Sequence, residues 1–77
     1  MRVRLFAALR ELAGTGELEL DAPDVASLLA ELTAKFGGEF ARVLEASSVL
    51  VDGEPAARGR ELRPEDEVAL LPPVSGG

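Results

Sequence analysis

Hydrophobic and polar residues alternate with two different periods along this chain, and the changes of period divide it into elements. Met1, Val3 and Leu5 alternate with Arg2 and Arg4 up to Phe6, the period-2 pattern of a half-buried first strand. Ala7 to Ala13 is rich in helix formers, with Leu9 and Leu12 three apart, and Gly14-Thr15-Gly16 stops it, giving a short helix or turn. Glu17-Leu18-Glu19-Leu20-Asp21 alternates again and predicts a second strand, antiparallel to the first, with its acids facing water.

Past Pro23 the period becomes helical. Asp24 is placed to cap, with Ser27 in the first turn, and Val25, Leu28, Leu29, Leu32 and Phe36 form one apolar stripe that Gly37-Gly38 ends. A domain this small needs one helix to cover its sheet, so the stripe is assigned to the core. Glu39 to Ala46 repeats the pattern weakly through Phe40, Val43 and Leu44, as a second short helix would. Ser48 to Val51 is a third strand, and Asp52-Gly53 suits a type I′ hairpin, in which both central residues need φ > 0. Pro55 marks an edge strand. Arg58 to Asp66 is a polar connection with Leu62 as its inward anchor. Glu67-Val68-Ala69-Leu70-Leu71 is apolar on both faces, the mark of a strand flanked by others.

Composition narrows the function. Seventy-seven residues make one domain, and a chain of this size hides only about 60% of its unfolded surface, which leaves little room for a buried catalytic pocket. The chain has no Cys and no His, which removes disulfides, Cys/His zinc sites, Cys nucleophiles, Ser-His-Asp triads and the usual neutral-pH general base. It is not expected to be an enzyme alone. Asn and Gln are also absent, which fits heat adaptation or a GC-rich genome. A net charge of −6 repels nucleic acid and anionic lipid, so any protein partner should offer a basic surface. No apolar run approaches the roughly 20 residues of a membrane span, and the first residues lack a signal-peptide core, so the expected location is the cytoplasm.

Glu65, Asp66 and Glu67, with Asp52 and Glu54 nearby, match no EF-hand spacing; the expectation is a solvated acidic face and no metal site. Gly14 and Gly16 do not complete a dinucleotide fingerprint, and no phosphate-cradling P-loop is present. No cofactor is expected to bind this chain, and any nucleotide must be held by another protein.

The chain ends Pro72-Pro73-Val74-Ser75-Gly76-Gly77. Two prolines fix φ and hold the chain extended as it leaves the last strand. Gly76 and Gly77 have no Cβ, so they can pass through a narrow channel and carry a carboxylate to chemistry performed inside another protein. A frayed terminus is the competing assignment for Gly76-Gly77; the position of the pair after a rigid dipeptide and an apolar strand favours the functional one, so residues 1–71 read as the folded domain and 72–77 as an extended tail.

Element order resembles the β-grasp, ubiquitin-like fold: an α+β domain with a mixed sheet covered by one main helix. Three stretches are similar to the small subunit of molybdopterin synthase, the MoaD-type sulfur carrier of the ThiS/MoaD family. They are Leu5 to Gly14, then Val51-Asp52-Gly53, and above all Asp66 to Gly77. Asp stands at 52 where that family often has Asn, and Leu70 and Leu71 stand where it often has aromatics.

The resemblance implies that an adenylating partner uses ATP to activate Gly77, and that a sulfur donor protein displaces AMP to leave a thiocarboxylate. The charged tail then enters the large synthase subunit, in a heterotetramer, and donates sulfur to cyclic pyranopterin monophosphate in molybdenum cofactor biosynthesis. It implies that Gly77 carries the sulfur and that Gly76 and Ser75 supply a slim approach. Pro72, Pro73 and Val74 would set its direction, while Phe6 and Leu71 would meet the large subunit. Burial in this chain's own core is the competing assignment for Phe6 and Leu71, and a solvated helix charge is the competing assignment for Arg10 as a contact to the activating enzyme. Three other classes share parts of the pattern: a ubiquitin-like modifier joined to lysines, a sulfur carrier for thiamine, tRNA or cysteine synthesis, and an interaction domain without C-terminal chemistry.

Overall fold

The computed structural model describes residues 1–73. Its first strand, β1 (Arg2–Leu5), turns Val3 and Leu5 inward to complete burial and leaves Arg2 and Arg4 outside. Strand β2 (Glu17–Glu19) pairs with it antiparallel, Val3 opposite Leu18, with both glutamates exposed. The strand is shorter than the alternation through Asp21 suggests. Leu20 still donates its N–H to the Met1 carbonyl at 3.0 Å, but the Asp21 carboxylate turns to the Met1 ammonium, and the chain departs for the helix layer.

Between these strands lies α1 (Ala7–Ala13), which begins one residue after β1. Phe6 is its N-cap residue, outside the strand, and Ala7 takes φ 48° to make the change of direction. Gly14, at φ 78°, ends the helix by donating its N–H to the Arg10 carbonyl, the left-handed cap that glycine adopts without strain.

The main helix, α2 (Val25–Phe36), starts where the Asp24 carboxylate accepts the Ser27 N–H at 2.8 Å. Two more N–H groups of its first turn are taken by the connection 57–66: Val25 donates to the Arg60 carbonyl and Ala26 to that of Arg58. Val25, Leu28, Leu29 and Leu32 are buried on the sheet, as their spacing requires. Gly37 then serves two helices, because its N–H closes α2 on Thr33 while its carbonyl accepts from Ala41 in α3 (Gly38–Glu45). Gly37 alone makes the break, and Gly38 begins the next helix. Phe40 is fully buried and its ring lies 4.9 Å from that of Phe36, locking α3 to α2.

Strand β3 (Ser48–Val51) leads through Asp52 (φ 49°) and Gly53 (φ 84°) into the two-residue edge strand β4 (Glu54–Pro55), as the hairpin signal predicts. Leu62 is buried from the connection that follows. The last strand, β5 (Glu67–Leu71), inserts between β1, to which it is parallel, and β3, to which it is antiparallel. The order β2-β1-β5-β3-β4 puts the apolar strand at the centre. Helices cover one side of this mixed sheet, and no helix of the described residues is long and apolar enough to cross a membrane.

Candidate functional site

Strand alternation assigns every second residue of the sheet to the side away from the helices. Val3, Leu5, Val51, Val68 and Leu70 are buried beneath the helices, so Arg2, Arg4, Leu50, Ala69 and Leu71 face outward. Register then arranges them in rows. Arg2 lies between Glu19 and Glu67; Arg4 lies beside Ala69, which in turn faces Leu50; and Leu71 lies beside Ser48. Phe6 follows Leu5 as Leu71 follows Leu70, and Leu5 and Leu70 are paired, so the two half-buried side chains come to the same end of the outer face.

This face is graded in polarity. At the end where β5 begins, Arg2 is held by Glu17 and Glu67, each at 3.2 Å. Toward the end where β5 finishes, the charges give way to Ala69, Leu50, Leu71 and Phe6. Pro72, half-buried, and Pro73, exposed, lead off from that apolar end. The expected contacts Phe6, Leu71, Pro72 and Pro73 thus share one end of the sheet, and burial in the core does not claim Phe6 or Leu71. Val74, Ser75, Gly76 and Gly77 lie outside the described residues.

Arg4 adds a charge to this apolar end. Glu17 is its cross-strand neighbour, yet that carboxylate goes to Arg2, and Arg4 instead places its guanidinium 5.5 Å from the centre of the Phe6 ring. Among the described residues it has no ion pair. Sequence reasoning did not single out Arg4 or Leu50. Leu50's outward position follows from its place between Val49 and Val51 once β3 is known to border β5; Arg4's free charge depends on which arginine captures Glu17, and no sequence pattern carries that. Arg10 is exposed and folds back on the α1–β2 loop. A Cβ at Gly16 would come within 3.2 Å of its Nε, a contact the flexible, exposed arginine can yield.

The acidic cluster divides in a way that corrects one expectation. Asp66 is only 8% exposed and does not belong to a solvated face; its carboxylate accepts the Arg63 N–H at 2.9 Å. Asp52 likewise accepts the Glu67 N–H at 3.0 Å. Both carboxylates brace the turns that deliver β5 into the sheet, whereas Glu54 and Glu65 are exposed. The groups with displaced titration are structural as well. The Asp24 carboxyl is held below its ordinary range by the Ser27 N–H it accepts, and the Met1 ammonium is raised, chiefly by its hydrogen bond to Asp21.

A five-stranded mixed sheet with its first and last strands parallel at the centre and one main helix across it defines a β-grasp, ubiquitin-like domain. The ThiS family profile matches residues 3–77, and the chain belongs to that family of small sulfur carriers and ubiquitin-like modifiers. It is 36% identical to small archaeal modifier protein 1 of Haloferax volcanii, with all of both chains covered. It is 31% identical to the molybdopterin synthase sulfur carrier subunit of Dictyostelium discoideum, covering 99% of this chain and 94% of the relative. The solution structure of small archaeal modifier protein 1 from Methanosarcina acetivorans superposes with a TM-score of 0.86 at 33% identity, over 99% of this chain and 94% of the other.

Proposed function

We propose that this chain is a sulfur carrier serving as the small subunit of molybdopterin synthase. The carrying observation is that the outer face of the sheet becomes apolar toward the one end from which Pro72-Pro73 leaves for Gly76-Gly77. A partner docked on Phe6, Leu50 and Leu71 receives the tail at its own active site. An adenylating partner, using ATP, converts the Gly77 carboxylate to an acyl-adenylate, since a free carboxylate is a poor electrophile. A sulfur donor protein then displaces AMP. The resulting thiocarboxylate presents sulfur, a softer nucleophile than oxygen, and a chain without cysteine has no thiol of its own to capture that cargo. Delivery to cyclic pyranopterin monophosphate in the large subunit completes the role. The chain works as the non-catalytic subunit of that complex, in the cytoplasm.

A second reading, as a protein modifier joined to lysines through Gly77, is favoured by the full-length similarity to small archaeal modifier protein 1. Both readings share activation and differ in the acceptor. Intact mass of the protein from its native host, with fragmentation of the C-terminal peptide, tests them. Sulfur in place of oxygen at Gly77 is the result expected of the carrier. Host proteins bearing the tail on lysine side chains, with no thiocarboxylate in any growth condition, would overturn it in favour of the modifier.

A further inference from the structure

The chain's basic residues are seven arginines and one lysine, Lys35. That imbalance matters to a protein whose activated end is attacked by amines. Guanidinium stays protonated and is no acyl acceptor at neutral pH. Hydroxyls are weak nucleophiles without an adjacent base, and this chain has no histidine. Two amines remain: the α-amine of Met1 and the ε-amine of Lys35.

The fold takes the first of these away. The Met1 ammonium donates to the Leu20 carbonyl at 2.9 Å and to the Asp21 carboxylate at 3.0 Å, with the Glu19 carboxylate at 3.5 Å, while its side chain is buried in the core. Its protons are committed, and freeing a lone pair for attack would mean giving up one of these contacts. Lys35 is the opposite case. It is exposed in the last turn of α2, has no carboxylate partner among the described residues, and lies only loosely over the Phe36 ring, with Nζ 5.9 Å from the centre.

We infer that Lys35 is the one acceptor amine of this chain: the activated Gly77 of a second copy acylates Lys35 and no other group. This rests on the activation proposed above. The neutral ε-amine attacks the Gly77 carbonyl of the acyl-adenylate; the C–N bond forms, the C–O bond to phosphate breaks, AMP leaves with the electron pair, and the surplus proton goes to water. A sulfur donor competes for the same adenylate, so self-conjugation rises when that donor is scarce.

Two arms test the assignment on the full chain. In the first, a limiting amount of the N-hydroxysuccinimide ester of acetic acid is added at neutral pH and the acetylated residues are mapped. Free α-amines have the lower pKa and ordinarily react ahead of lysine; here acetyl is expected on Lys35 while Met1 stays free, and the ordinary order would overturn the inference. In the second, wild type and Lys35→Arg are incubated with ATP and host extract depleted of sulfide donors, then repleted. Wild type should give a covalent dimer through a Lys35–Gly77 amide, and Lys35→Arg none, although it still gains the thiocarboxylate on repletion. A dimer that persists in Lys35→Arg, or a wild type that gains the thiocarboxylate yet never dimerises, overturns the acceptor role and leaves the carrier reading intact. Failure of both products overturns the carrier reading too, and the acetylation arm alone then reports on the amine.

Discussion

Leu70 and Leu71 are neighbours in β5 and face opposite sides of the sheet, so truncating each to alanine separates folding from docking. Leu70 is fully buried, opposite Leu5 on one side and Val49 on the other. Its loss should cost about 2–5 kcal/mol, the range for a buried leucine replaced by alanine. A domain of 77 residues has a total stability of about 4–12 kcal/mol at 0.05–0.15 kcal/mol per residue. With each kcal/mol worth about 4–8 °C in a domain of this size, Leu70→Ala should lower Tm by about 10 °C or more. Leu71 is half-buried on the outer face, and its truncation removes about three carbons that are already partly in water, a loss of about 1 kcal/mol at about 0.8 kcal/mol per fully buried methylene. Thermal denaturation followed at 222 nm measures both. The second assay is binding to the proposed partner, the large synthase subunit, at a temperature where both variants are folded. Leu70→Ala should bind at close to wild-type affinity once folded, and Leu71→Ala more weakly. Equal losses of Tm, or wild-type affinity for Leu71→Ala, would refute the division of the sheet into a core face and a docking face.

Other consequences can be checked with the same melting assay. Ala7 holds φ 48°, which disfavours an L-residue by about 1–2 kcal/mol against glycine, while glycine carries an opposing chain-entropy cost of about 0.4–1 kcal/mol. Ala7→Gly should therefore leave Tm unchanged or raised, and Ala7→Val should lower it; a clear loss in Ala7→Gly would contradict the strained turn. On the acid side, Asp24 is held below its ordinary value of 3.8 in the folded state, so the cap's contribution is complete above that pH and lost as pH falls through the folded value. Asp24→Asn should flatten that limb of the Tm–pH curve. On the alkaline side the sign reverses: the Met1 ammonium is raised above 8.0, its contribution is complete below 8.0, and it is lost as pH rises through the folded value. Asp21→Ala, which removes the first cause of that shift, should flatten the alkaline limb.

Elements whose signals are local were readable from the chain itself. Helix α2 carries its own start in Asp24, its stripe in Val25 to Phe36 and its stop in Gly37, and the hairpin carries its turn in Asp52-Gly53. The central place of β5 was expected from its apolar residues on both faces, yet its burial alternates: Val68 and Leu70 enter the core, and Ala69 and Leu71 supply the apolar part of the outer face. What escaped depends on partners far away in sequence. The shortening of β2 comes from Asp21 turning to the Met1 ammonium, and the burial of Asp66 comes from its role in the turn before β5. The fold brings Phe6, Leu71, Pro72 and Pro73 to one end of the sheet; in the candidate site, Phe6 and Leu71 were named from the family resemblance and Pro72 and Pro73 from the tail motif. Leu50 and Arg4 were not, since the outer face exists only after β5 has entered between β1 and β3. A single lysine is visible in any reading of the sequence, but its meaning is not, because only the fold shows that the other amine is engaged.

The parallel pairing of β1 with β5 makes the protein's own synthesis a checkpoint. Arg2 meets Glu67 across 65 residues of chain, so a nascent polypeptide can form its hairpins and helices early but must leave the middle of its sheet empty until the last strand emerges. A chain interrupted before β5 exposes the flanks of β1 and β3, lacks the surface built from Ala69 and Leu71, and is open to proteolysis as an unfolded species. Under the proposed carrier role, a partner that docks on that surface would therefore meet only molecules translated through their final strand.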